Sequence, residues 1–91
     1  MTTRRRSKLR ILADILKAVE RGESNITQIM AAANLPYVRL TKYLEELVEK
    51  GFLVRVEEGR EVRFKLTGKG REFLREFARI ERIAEAFGVE I

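Results

Sequence analysis

The hydrophobic period of this chain changes at a glycine, and that change limits the folds open to it. Before Gly51 apolar residues recur at helical spacing; after it they alternate; from about residue 70 the helical spacing returns. The resulting order is helix, helix, helix, hairpin, helix, a mostly α chain with one β-hairpin. There are no internal repeats, low-complexity segments or long linkers. At 91 residues the chain makes one domain with little left over.

The boundaries follow from local chemistry. Residues 7–20 read as the first helix, with Ser7 a candidate N-cap and Leu9, Ile11, Leu12, Ile15, Leu16, Ala18 and Val19 on its apolar side. It stops at Arg21-Gly22. Residues 25–33 read as the second, with Asn25 and Gln28 at capping-box spacing and Ile26, Ile29 and Met30 inward. Leu35 precedes Pro36 and is pushed out of helical geometry. Pro36 suits the first position of a third helix that runs to about Lys50. Its core stripe is Leu40, Tyr43, Leu44, Leu47 and Val48; Val38, Arg39, Lys42, Glu45 and Glu49 form the other side. In the hairpin, Phe52, Val54 and Val56 alternate with Leu53 and Arg55, and Val62, Phe64 and Leu66 with Glu61, Arg63 and Lys65. Glu57-Glu58-Gly59-Arg60 is the turn, and the spacing predicts one apolar and one charged face. The last helix covers about 70–87 and stops at Gly88.

Composition removes whole classes of chemistry. There is no Cys and no His, so thiol catalysis, disulfides, zinc fingers, two-histidine iron sites and the Ser-His-Asp triad are excluded together. Asp14 is the lone Asp, and the glutamates lie in helical charge patterns or the hairpin turn. No nucleophile–base pairing or Gly-rich phosphate loop stands out, so the chain does not read as an enzyme. No cofactor, metal or small-molecule ligand is expected. No apolar run reaches a membrane span, and the charged start is not followed by a signal-peptide core. The expected location is the cytoplasm, with the nucleoid.

Lys plus Arg is 19 against 14 Asp plus Glu, a net charge of +5. All of that excess lies in the first ten residues, where Arg4, Arg5, Arg6, Lys8 and Arg10 meet no acid. The run reads either as a solubilising tail or as an arm for nucleic-acid phosphates.

Two short helices joined by a tight turn, the second amphipathic, describe a helix-turn-helix, and a following hairpin makes it winged. In that motif the second helix leads into the DNA major groove with its N-terminal residues. Here those are Tyr37, Val38, Arg39, Thr41 and Lys42. Arg39 can fork onto guanine, Lys42 can reach guanine or phosphate, Val38 can meet a thymine methyl, and Tyr37 and Thr41 can donate to phosphates. The plain alternative is the solvated face of a core helix. In the wing Arg55, Arg60, Arg63 and Lys65 are diluted by Glu57, Glu58 and Glu61, and Arg60 and Arg63 are the candidate backbone contacts.

In the last helix Phe73, Phe77, Ile80, Ala84, Phe87 and Ile91 keep heptad spacing, with Glu72–Arg75 and Glu76–Arg79 pairs on the flank. This seam is read as a homodimer interface; the alternative is packing within its own domain. The division expected is 1–70, a winged helix-turn-helix domain with a basic arm, and 71–91, a dimerisation helix.

The chain resembles the archaeal ten-kilodalton winged-helix DNA-binding proteins described as chromatin proteins or regulators. The residues that carry the resemblance are the basic start ending in Ser7-Lys8-Leu9, the Ile29-Met30 pair, Ala33-Asn34-Leu35 followed by Tyr37, the mid-helix Tyr43, and Leu66-Thr67 with Lys69-Gly70. The match runs over residues 4–75. It implies a winged helix whose extra C-terminal helix pairs two subunits as an antiparallel coiled coil, and sequence-tolerant binding of double-stranded DNA. Two features depart from the family: Pro36 stands where a Ser is usual, and the last helix is shorter. A protein-binding winged helix is the rival reading, which would explain the near-neutral body but leave the basic arm without a purpose. RNA is disfavoured because no exposed aromatic platform is evident.

Overall fold

A computed structural model describes residues 6–91. The elements are α1 (Lys8–Glu20), α2 (Ile26–Ala33), α3 (Tyr37–Glu49), β1 (Leu53–Glu58), β2 (Glu61–Leu66) and α4 (Gly68–Ala86). The winged-helix order read from the periodicity is the order observed.

Local chemistry sets most of the ends. Ser7 accepts from the Arg10 N–H at 3.1 Å and caps α1. Asn25 and Gln28 form the capping box, the Asn25 side chain accepting from the Gln28 N–H at 2.8 Å and Gln28 Oε1 from the Asn25 N–H at 3.3 Å. Asn34 ends α2 in the left-handed region at φ 54°, a conformation Asn tolerates better than most residues. Two boundaries differ from the sequence reading. Pro36, at ψ 158°, is the extended N-cap of α3 rather than its first helical residue. And α4 begins two residues early because Thr67 caps it, accepting from the Gly70 N–H at 3.0 Å while its hydroxyl donates to the Gly51 carbonyl at 2.6 Å. Gly70 lies against the chain before β1; a β-carbon there would collide with the Phe52 carbonyl oxygen and the Leu66 side chain.

The strands pair antiparallel through a two-residue connection, Gly59-Arg60, with φ positive at Gly59 as hairpin turns favour. That connection matches even-numbered residues of β2 with odd-numbered residues of β1: Leu53 with Leu66, Arg55 with Phe64, Glu57 with Val62. The expected face made of Phe52, Val54 and Val56 is therefore corrected. Leu53 is buried and Val54 is exposed, because cross-strand partners share a face and the turn length decides the partners. The hairpin is tied to the α1–α2 connection by an isolated bridge between Asn25 and Arg63 and by the Phe64 N–H donating to the Ser24 carbonyl at 2.8 Å.

One core joins all these elements. α1 contributes Ile11, Leu12, Ala13, Ile15, Leu16, Ala18 and Val19, closed over by Ile29, Leu40, Leu44, Leu47, Leu53, Phe64, Leu74 and Phe77. Leu74 and Phe77 place the first half of α4 in the same core as residues 6–70, so a boundary at residue 70 does not separate two cores. Phe77 is 2% exposed and sits under two cations of α1, the Arg10 guanidinium and the Lys17 ammonium, 5.1 and 5.3 Å from its ring centroid. Glu81, one turn on, holds both cations at 2.6 and 3.7 Å.

Truncating Phe77 empties the α1–α4 contact. Phe77→Ala is expected to cost about 3–5 kcal/mol of unfolding free energy, read from the shift of a urea denaturation curve.

Candidate nucleic-acid interface

The leading turn of α3 is the most exposed part of the helix-turn-helix. Tyr37 and Val38 are 56% and 76% exposed although both are large and apolar in body, and Arg39 and Lys42 are exposed beside them. Neither Arg39 nor Lys42 makes an ion pair among the described residues. No side chain caps this end of α3, because Pro36 has none to offer, so the N–H groups of the first turn point outward without one. Thr41 is half-buried, and its hydroxyl donates to the Val38 carbonyl at 3.1 Å. The second half of α3 carries Glu45, Glu46 and Glu49, which confines positive potential to the first half.

Other expected site residues are found in supporting positions. Arg6 is a clamp: its Nη1 donates to Asp14 at 2.9 Å and to the Ala33 carbonyl at 2.7 Å, and its Nη2 to the Asn34 carbonyl at 2.9 Å. It ties the chain start to α1 and to the end of α2, where the turn into α3 begins. Its three hydrogen bonds go to protein, so in the folded chain it serves as a brace. Lys8 reaches Glu46 of α3 at 2.9 Å. Arg63 is half-buried, donating to Ser24 Oγ at 2.7 Å and to Glu61 at 2.8 Å, and it likewise becomes an anchor, fixing the wing to the α1–α2 connection. Arg55 pairs with Glu57 at 3.2 Å and Lys65 with Glu58 at 3.9 Å. Arg60, at the wing tip, is exposed and makes no ion pair among the described residues. Arg4 and Arg5 lie outside the described residues.

The sequence reading missed the partners that hold the site together, Asp14, Ser24 and the Ala33 and Asn34 carbonyls. The available signal was Asp14 itself, an acid on a helix otherwise turned to the core. It also missed a groove of about 620 Å³ between α3 and the wing, floored by Ile26, Leu44, Val48 and Phe64 and rimmed by Tyr37 and Arg55.

The seam expected on α4 divides. Phe73 is half-buried with its ring centroid 5.1 Å from that of Phe52, and Phe77 and Ala84 are buried in the chain's own fold. Ile80 and Phe87 are 44% and 78% exposed and are joined by Ile83 and Val89, both 60% exposed. Heptad spacing picks out one stripe, but the 19-residue helix turns one apolar edge to α1 and a second to solvent. Among the described residues no helix is long and apolar enough to cross a membrane, and no group of three or more metal-ligating residues is found.

Comparison with known proteins agrees with this geometry. The winged helix-turn-helix family profile matches residues 5–85. An uncharacterized protein of Methanocaldococcus jannaschii is 34% identical over 68 residues, which is 75% of this chain and 66% of that protein. The crystal structure of Sso10a-2, a DNA-binding protein from Sulfolobus solfataricus, superposes with a TM-score of 0.81 at 29% identity, over 90% of this chain and 85% of that one. The transcriptional regulator BldR from the same organism shares the fold at a TM-score of 0.75 and 23% identity, over 86% of this chain and 60% of that one.

The Arg6 clamp is testable by stability alone. Arg6→Ala leaves two helix-end carbonyls without their donor and is expected to cost ~1.5–3 kcal/mol, measured by chemical denaturation. An unchanged denaturation midpoint would show that the clamp does not hold in solution.

Proposed function

Because the chain belongs to the winged helix-turn-helix family, we propose that it binds double-stranded DNA as a transcriptional regulator or architectural chromatin protein, acting on the nucleoid in the cytoplasm. The observation that carries this reading is the leading turn of α3, which exposes Tyr37, Val38, Arg39 and Lys42 with no acid paired to either cation among the described residues. Arg39 is the base-reading candidate, since a guanidinium matches the two acceptors of guanine. Lys42, Tyr37 and the uncapped N–H groups of the first turn serve phosphate oxygens. Val38 meets a thymine methyl or a sugar, and Thr41 supports it from behind. Arg60 at the wing tip, with Arg4 and Arg5 of the arm, adds backbone contacts. Lys8 contributes from its exposed flank while holding Glu46. That Sso10a-2 is a DNA-binding protein of this fold supports the reading.

The proposed molecule is a homodimer. Its interface is the outer edge of α4, with Ile80 and Phe87 from the expected seam and Ile83 and Val89 added to it. Contiguous apolar side chains of this size on a surface favour burial against another surface. Arg82 and the Glu76–Arg79 pair border it, and its apolar strip can meet its own copy, as a two-fold contact requires.

A titration against specific and random duplexes over a salt series tests the DNA reading. With about four to five phosphates neutralised per subunit, the log–log slope is expected near −4. Arg39→Ala is expected to cost ~1–3 kcal/mol on a preferred site and less on random DNA, and Lys42→Ala to weaken all sequences alike and lower the salt slope by about 1. No binding at low salt would end this reading.

The dimer is checked by light scattering at micromolar concentration. Phe87→Asp, at a position 78% exposed in the single chain, is expected to give a folded monomer. A wild-type monomer, or a Phe87→Asp dimer, refutes this interface.

A further inference from the structure

α4 has a third edge, outside the core and bordering the proposed dimer surface at Arg82. Arg71, Arg75 and Arg82 fall within about 40° of one another around the helix at 3.6 residues per turn, and span about 16 Å of its length at 1.5 Å per residue. All three are exposed and make no ion pair among the described residues. Of the two pairs the sequence suggested on this helix, Glu76–Arg79 forms at 3.2 Å, whereas Arg75 is left without an acid. Arg79 lies on one margin of this edge and Glu85 on the other. The helix surface thus divides into a buried edge (Leu74, Phe77, Ala84), an apolar exposed edge (Ile80, Ile83, Phe87) and a basic edge, roughly 100–130° apart.

This edge starts at the end of α3 remote from its leading turn. Lys8 and Arg10, two residues apart on α1, point to opposite sides of that helix, about 200° round. Lys8 meets Glu46 of α3 and Arg10 meets Glu81 of α4, so the two helices flank α1 on opposite sides. They come together where Lys69 Nζ donates to the Lys50 carbonyl at 2.8 Å, at the end of α3 remote from Arg39 and Lys42. A duplex on the first turn of α3 therefore meets that helix about 16 Å along its axis from the end at which α4 begins.

We propose that Arg71, Arg75 and Arg82 form a second phosphate-backbone site, which holds a second DNA duplex while α3 holds the first. This rests on the DNA-binding reading above. A rigid line of guanidiniums suits a duplex backbone, which presents one negative charge per ~1.7 Å of axis to a donor that forks onto phosphate. An anionic lipid surface fits less well. A helix lying on a membrane buries an apolar edge with cations on both its borders, and here Arg79 and Arg82 border it on one side while the other border is the buried edge.

The test uses the full chain with two short duplexes, one carrying a donor fluorophore and one an acceptor, beside an anisotropy titration on a single duplex. Wild type is expected to bring the two duplexes together. The Arg71→Gln/Arg75→Gln/Arg82→Gln variant is expected to keep single-duplex affinity within about twofold. Its duplex-pairing signal falls at least about tenfold, and the salt slope of pairing drops by about 2–3, as three lost phosphate contacts require. Gln is a good helix former at exposed positions, and an unchanged thermal melt confirms the fold. The matching triple Lys variant keeps the charge and is expected to restore pairing. Pairing retained in the Gln variant overturns the proposal, as does a fall in its single-duplex affinity, which would put the arginines on the first duplex. Retention on phosphatidylserine vesicles with no pairing of duplexes overturns it in favour of a membrane. Failure of wild type to bind even one duplex is a different result and ends the DNA reading itself.

Discussion

The rest of the structure depends on the burial of α1 on nearly all its sides. A helix so enclosed fixes every neighbour against a common reference: α2 and the α3 stripe on one side, Phe64 of the hairpin on another, Leu74 and Phe77 of α4 on a third. Its few polar side chains then do the orienting. Asp14 receives Arg6, Lys8 holds Glu46, and Arg10 and Lys17 close over Phe77 and grip Glu81. Each of these contacts joins α1 to a different part of the chain. A small domain has little apolar surface to bury, so partly buried ion pairs at the edge of the core set angles that apolar packing alone leaves loose.

The same construction explains why the leading turn of α3 is free. Its helix is held from behind by Leu40, Leu44 and Leu47, from below by the Lys8–Glu46 pair, and at its entry by Leu35 and the Arg6 clamp on the preceding turn. Tyr37, Val38 and Arg39 are all exposed, so they are not what holds the helix in place. Pro36 reinforces this: an N-cap with no hydrogen-bonding side chain leaves the N–H groups of the turn available to an outside acceptor.

Features that depend on neighbours in sequence were legible. The Ser7 cap, the Asn25–Gln28 box, the leucine stripe of α3 and the switch of period at Gly51 each need only a few residues to specify them. Features that depend on a distant partner were not. Nothing near Arg6 announces that its acceptors are Ala33 and Asn34, and a run of five cations looks the same whether it meets phosphate or carbonyl. The hairpin faces turned on a single integer, the number of residues in the Gly59 connection, which reverses every side chain of one strand relative to the other. Phe77 shows the third kind of difficulty. Periodicity identifies an apolar edge, but whether that edge meets its own domain or another copy depends on where the chain leads the helix.

Charge balance shows what the folded chain leaves over. Its sequence is neutral beyond the first ten residues, yet the folded protein is not neutral everywhere, because pairing is selective. Glu46, Glu58, Glu61 and Glu81 are drawn to cations that brace the fold. Arg39, Lys42 and Arg60 on one part of the surface and Arg71, Arg75 and Arg82 on another remain without such partners among the described residues. A surface ion pair contributes little to stability, so leaving these six unpaired costs the fold little. A desolvated guanidinium on a phosphate is worth considerably more. These six are thus well placed to gain from a polyanion, and they lie on three elements, α3, the wing and α4.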